Sequence, residues 1–116
     1  MNSKTREFLE FISSIRKHLD PDQLIIIRSS VAPNVCEQIK RTLGEDLPWK
    51  LSYCPERIVQ GYAIKELKKL PQIVAGFSDE SIKEASDLFK NISSSIIETS
   101  MQEAELAKLF ANSWRY

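Results

Sequence analysis

Glycine is scarce in this chain, with three among 116 residues, at positions 44, 61 and 76. Spread so widely, they exclude a Gly-X-Gly-X-X-Gly turn, the backbone cradle that offers free N–H groups to a pyrophosphate. Histidine occurs once, as His18, far in sequence from Cys36 and Cys54, and the two cysteines do not form a Cys-X-X-Cys pair. Neither a zinc site nor a disulfide framework is expected, and the thiols read as free. An excess of one charge is missing too, because sixteen basic residues face sixteen acidic ones and no basic block stands apart from neighbouring acids. That balance argues against a nucleic-acid partner. The longest strongly apolar run, Leu24 to Ile27, falls far short of the ~20 residues of a membrane span. The opening Met1-Asn2-Ser3-Lys4-Thr5-Arg6-Glu7 carries acid early and leads into a charged amphipathic pattern instead of a signal segment. A cytoplasmic protein without membrane contact is the expectation. There is no internal repeat, low-complexity tract or flexible linker.

What is present has the rhythm of alternating strands and helices. Phe8, Ile12, Ile15 and Leu19, widened by Phe11, recur at helical spacing, and Asp20-Pro21-Asp22 stops the pattern. Leu24-Ile25-Ile26-Ile27 is a continuous β-branched run of the kind buried on both faces of a parallel sheet. Asn34 is expected to cap a helix through about Leu43, stopped by Gly44. Lys50 to Cys54 reads as a second strand, Tyr62 to Leu70 as a short helix and Gln72 to Ala75 as a third strand. A helix from Ser78 to Phe89, a fourth strand at Ile96 to Thr99 and a final helix capped by Ser100 complete the series. The class is α/β, one domain by size, with a largely parallel sheet and flanking helices.

Chemistry-bearing residues gather where strands end. Tyr53-Cys54-Pro55-Glu56-Arg57 sets an acid and a base just past a strand, where an open α/β sheet meets its ligands. Glu56 suits proton transfer and Arg57 bidentate phosphate binding. Without further context, a solvated loop ion pair is the favoured reading of the two. Ser30 lies just past Leu24 to Ile27 and suits either a ribose or phosphate contact or a turn hydroxyl. Lys108, Asn112 and Arg115 share one helical face, which reads as an oxyanion and sugar-binding surface or as a solvated face. Cys54 is not expected to be a nucleophile, because no histidine stands near it to generate thiolate. Trp49, Phe110 and Trp114 are expected to pack rather than to stack on bases.

Three of these segments resemble one family. Arg28-Ser29-Ser30-Val31-Ala32-Pro33, Cys54-Pro55-Glu56-Arg57 and Ala104-Glu105-Leu106-Ala107-Lys108-Leu109-Phe110-Ala111-Asn112-Ser113-Trp114-Arg115 are similar, in order and spacing, to motifs of the UDP-glucose/GDP-mannose dehydrogenases. These enzymes use NAD to oxidise the C6 alcohol of a nucleotide sugar to a carboxylate. Tyr53-Cys54-Pro55-Glu56-Arg57 together with Leu70-Pro71-Gln72-Ile73 most resembles the UDP-N-acetylmannosamine branch.

The resemblance implies NAD as cofactor, with Ser30 in contact with it. Glu56 is implied to assist hydrolysis of a covalent thioester and Lys108 to hold the developing oxyanion. Arg57, Ile58, Lys108, Asn112 and Arg115 are implied to bind the UDP-sugar. Gln60 stands where many relatives carry a second acid, so no charge-dependent role is expected there. The resemblance also implies an incomplete Rossmann-like parallel sheet in residues 1–99, the later part of an NAD-binding domain. Residues 100–116 would then open a long central helix through which the family forms homo-oligomers. Because the family's nucleophilic cysteine follows that helix, the chain is expected to be a fragment that does not turn over alone. The alternative is a non-catalytic α/β module that pairs with another polypeptide.

Overall fold

A computed structural model of the chain describes residues 3–29, 31–56, 71–93 and 95–114, with the side chains from 108 onward excepted. The helix expected over Tyr62 to Leu70 lies outside the described residues. Helix α1 spans Ser3–Ile15 and tightens into a 3₁₀ turn at Arg16–His18 before Leu19 turns extended. Strand β1, Leu24–Ile27, leads to α2, Val35–Leu43. Strands β2, Lys50–Tyr53, and β3, Gln72–Gly76, are followed by α3, Asp79–Phe89. Strand β4, Ile96–Glu98, then hands over to α4, Met101–Trp114.

The four strands form one sheet in chain order, β1-β2-β3-β4. β1 and β2 run parallel, Leu24 opposite Lys50 and Ile27 opposite Tyr53, and β3 and β4 also run parallel, Gln72 opposite Ile96. Between them the direction reverses, since β2 and β3 are antiparallel with Ser52 opposite Gly76 and Tyr53 opposite Ala75. The sheet is therefore mostly parallel with one reversal that strand periodicity could not report. Either direction satisfies a ladder of backbone N–H and C=O groups, so composition does not choose between them.

One face of the sheet carries the larger apolar core. Ile27, Leu51, Tyr53, Ile73 and Ala75 pack there with Ile12 of α1, Val35, Cys36, Ile39 and Leu43 of α2, and Met101 and Ala104 of α4. The other face carries Cys54 and Val74 with Ala85 and Phe89 of α3, flanked by Leu24, Ile26 and Ile96. The run Leu24–Ile27 serves both faces, with Ile25 packed on the larger core and its neighbours on the smaller. It is less enclosed than expected, because only Ile27 is fully buried while Leu24, Ile25 and Ile26 are half-buried. The reason is position: among the described residues β1 pairs with β2 alone and forms an edge.

Local rules account for the helix ends. Ser78 accepts from the Ser81 N–H at 3.1 Å, and the Ser81 hydroxyl accepts from the Ser78 N–H at 3.2 Å, a reciprocal cap. The Ser100 hydroxyl accepts from the Glu103 N–H at 3.1 Å and donates to the Glu103 carboxylate at 3.0 Å. Gly44 closes α2 with a φ of 91°, a left-handed value that a side chain would oppose. Asn34 departs from expectation, for it holds the cap position of α2 with a φ of 71° and its side chain makes no capping bond. Among the described residues no helix is long and apolar enough to cross a membrane.

Candidate active site

The carboxyl ends of β1 and β2 lie side by side, and backbone bonds prolong their pairing beyond the strands. The Cys54 N–H donates to the Ile27 carbonyl at 2.9 Å and the Glu56 N–H to the Arg28 carbonyl at 3.2 Å. These bonds carry the chain out of the core in stages. Tyr53, Cys54 and Pro55 are buried, and Glu56 emerges exposed. A side chain so placed is fixed at its backbone and exposed at the surface, where an acid–base group must stand to meet its substrate.

Gln72 braces that segment. Its side chain is 5% exposed, and its amide N–H₂ donates to the Pro55 carbonyl at 3.0 Å and to the Ile73 carbonyl at 2.9 Å. Its amide oxygen accepts from Arg28 Nη1 at 3.4 Å, while the Arg28 guanidinium sits 4.8 Å from the centre of the Phe89 ring. One buried amide thereby links the ends of β1, β2 and β3 beneath Glu56. The antiparallel turn of β3 makes this possible, since it brings the first residue of β3 beside the segment leaving β2. In the sequence Gln72 opens a strand and belongs to the Leu70-Pro71-Gln72-Ile73 segment, with no bracing role expected of it. Its signal was present as a polar residue opening an apolar run, Gln72-Ile73-Val74-Ala75.

Cys54 is unsuited to nucleophilic work, as expected. It is fully buried, and burial pushes its thiol up to about 12 against a smaller opposing pull from Arg28. Cys36 is free and buried as well, with its thiol pushed up by burial and further by the Glu105 carboxylate. Trp49 packs against the larger core and donates its indole N–H to the Leu43 carbonyl at 3.0 Å, so it is a packing residue.

A second connection reaches this end of the sheet from α4. Glu105 is 2% exposed, with Oε1 accepting from the Asn34 N–H at 3.2 Å and Oε2 from the Cys36 N–H at 3.2 Å. It supplies the cap that the Asn34 side chain does not, from a partner 71 residues away in the chain. Sequence reasoning missed Glu105 because a glutamate in the first turns of a helix ordinarily faces water. Tyr53 is buried in the same core, its phenol pushed up to about 12 by burial, then by Cys36 and Glu105.

Of the residues expected from the sequence to act in catalysis or to bind substrate or cofactor, Glu56 is the one whose side chain is described. Ser30, Arg57, Ile58 and Arg115, with the side chains of Lys108 and Asn112, lie outside the described residues. The backbone of α4 includes positions 108 and 112, beyond Glu105. The described residues do not by themselves fit a dinucleotide's pyrophosphate. No glycine-rich turn exists in the sequence, and the first amides of α2, at a strand's carboxyl end, are occupied by Glu105.

Residues 2–93 match the model of the UDP-glucose/GDP-mannose dehydrogenase family, NAD binding domain. The chain belongs to this family. It is 30% identical over 105 residues to a UDP-N-acetyl-D-mannosamine dehydrogenase of Methanocaldococcus jannaschii, covering 90% of this chain and 25% of that protein. A UDP-glucose 6-dehydrogenase of Rickettsia bellii is 30% identical over 113 residues, again covering 90% of this chain and 25% of the other. Among solved structures, a UDP-N-acetyl-mannosamine dehydrogenase from Staphylococcus aureus superposes with a TM-score of 0.81 at 25% identity. That alignment covers 95% of this chain and 28% of the other. The chain thus spans about a quarter of the length of the curated relatives it matches.

Proposed function

We propose that this chain is the part of an NAD-dependent UDP-sugar 6-dehydrogenase that carries the Glu56 segment and the opening of the lysine-bearing helix. The substrate would be UDP-N-acetylmannosamine, oxidised at C6 to the uronic acid that feeds polysaccharide synthesis. The observation that carries this reading is the meeting, at one end of the sheet, of the braced strand end from which Glu56 emerges and the α2 N-terminus that holds α4 through Glu105. Residues 1–99 would be the later part of the NAD-binding domain, and 100–116 the start of a central helix that pairs subunits of a cytoplasmic homo-oligomer.

Within that enzyme Glu56 serves proton transfer during thioester hydrolysis and Lys108 stabilises the oxyanion. Arg57, Ile58, Asn112 and Arg115 hold the nucleotide sugar, and Ser30 touches NAD. Hydride acceptance is the cofactor's contribution. The mannosamine preference is supported by relatives whose names specify that sugar. The chain by itself has no glycine-rich turn, and we expect no sustained NADH formation from it with NAD and UDP-N-acetylmannosamine. Steady turnover would refute that expectation.

The residue roles are tested by joining this segment to a glycine-rich first half and a cysteine-bearing second half of such an enzyme. NADH formation is expected to return, with Glu56→Gln and Lys108→Met each lowering kcat by about 10²-fold or more. An active chimera indifferent to both substitutions would refute the assignments. The edge position of β1 favours one second reading, a module that accepts a strand from another polypeptide without catalysis. A monodisperse complex with a defined partner and no dehydrogenase activity would support it.

A further inference from the structure

Helix α2 begins with a structural problem that the chain solves from a distance. The first N–H groups of any helix have no partner within it, and the cap residue normally supplies one through a short polar side chain. Asn34 holds that position but stands in the left-handed region with its side chain uninvolved. The Glu105 carboxylate takes over with one oxygen on each of two amides, Asn34 and Cys36, both at 3.2 Å. Two acceptor atoms on two donors set a direction as well as a distance, and a carboxylate at a helix N-terminus also opposes the positive end of the dipole.

Burial makes the contact consequential. Glu105 is 2% exposed, and Cys36 and Ala104 beside it are fully buried, so water does not readily replace a lost acceptor and the freed amides would stay unsatisfied. An apolar residue of equal size would fill the space and leave two donors orphaned. Glu105 also stands three residues before Lys108 on α4, which makes the two positions neighbours on adjacent turns of one helix.

We propose that Glu105 is a positioning residue, a buried carboxylate latch that fixes the rotation and height of α4 against the turn between β1 and α2. The latch sets where the segment bearing Lys108 and Asn112 stands relative to the strand end from which Glu56 emerges. Ordering of the first turn of α2 and ordering of α4 are then one event. The consequence for catalysis rests on the dehydrogenase reading; the latch itself does not.

The test uses the full 116-residue chain without cofactor or sugar, so its failure and that of the dehydrogenase reading are separable. In ¹⁵N-labelled protein, Glu105→Gln is expected to move the amide proton resonances of Asn34 and Cys36 more than those of the α2 interior. Glu105→Ala is expected to speed hydrogen exchange about tenfold or more in the first turn of α2 and, together with it, in α4. Formate in the tens of millimolar is expected to restore protection in the alanine variant, whereas formamide, similar in size and uncharged, does not. If Glu105→Ala fails to fold, the glutamine variant and formate-dependent refolding decide the matter. Unmoved Asn34 and Cys36 resonances in the glutamine variant would overturn the latch. So would independent exchange of α2 and α4, or equal rescue by formate and formamide.

Discussion

Gln72 shows how a single buried amide can set the geometry of a site it does not enter. Two donors and one acceptor are all used, on the Pro55 and Ile73 carbonyls and on Arg28. Gln72→Leu keeps the volume and removes every one of these bonds. Leaving buried carbonyls without their donor is expected to cost about 1–3 kcal/mol of stability, measurable by urea unfolding. A variant as stable as the parent would show that the brace is idle. The strand-end position of Glu56 was legible in the sequence because an acid after an apolar run is visible as letters. Gln72 and Glu105 were not, because their importance comes from what lies across the fold: Pro55 is 17 residues from Gln72, and Cys36 is 69 from Glu105.

At the scale of elements, the end of β3 leaves no room for a side chain at Gly76 against the start of α3. A Cβ added at Gly76 would stand 2.5 Å from the Ser81 hydroxyl and 2.9 Å from Ile82 Cγ1. The Ser81 hydroxyl cannot step aside without cost, since it accepts from the Ser78 N–H and donates to the Ser78 carbonyl. Gly76→Ala is therefore expected to destabilise the chain by about 1–3 kcal/mol through overpacking. Ser78→Ala, which removes the cap alone, is expected to cost about 1 kcal/mol. Thermal or urea unfolding of the pair checks the order, and an alanine at 76 milder than one at 78 would contradict it. The cap at Ser78 could be read directly from Ser78, Glu80 and Ser81. The tightness at Gly76 could not, because a glycine in a strand is equally consistent with a bulge, a bend or a close approach.

At the scale of the molecule, the sheet among the described residues ends at β1 with a row of half-buried aliphatic residues, Leu24, Ile25 and Ile26. Such an edge is a template for strand addition. The isolated chain is expected to self-associate, with an apparent mass by light scattering that rises with concentration and falls when a complementary polypeptide occupies the edge. A constant monomer mass across the micromolar range would contradict this. The sequence by itself determined the α/β class, the helices at both ends, the ends of α3 and the Glu56 segment. Each of these depends on periodicity, capping or turn chemistry within a few residues. Only the tertiary structure decided the reversal between β2 and β3, the edge position of β1, the Gln72 brace and the capture of α2 by Glu105. Each of those rests on hydrogen-bond partners far apart in the chain, and a donor's own neighbours in sequence carry no record of which distant acceptor it will meet.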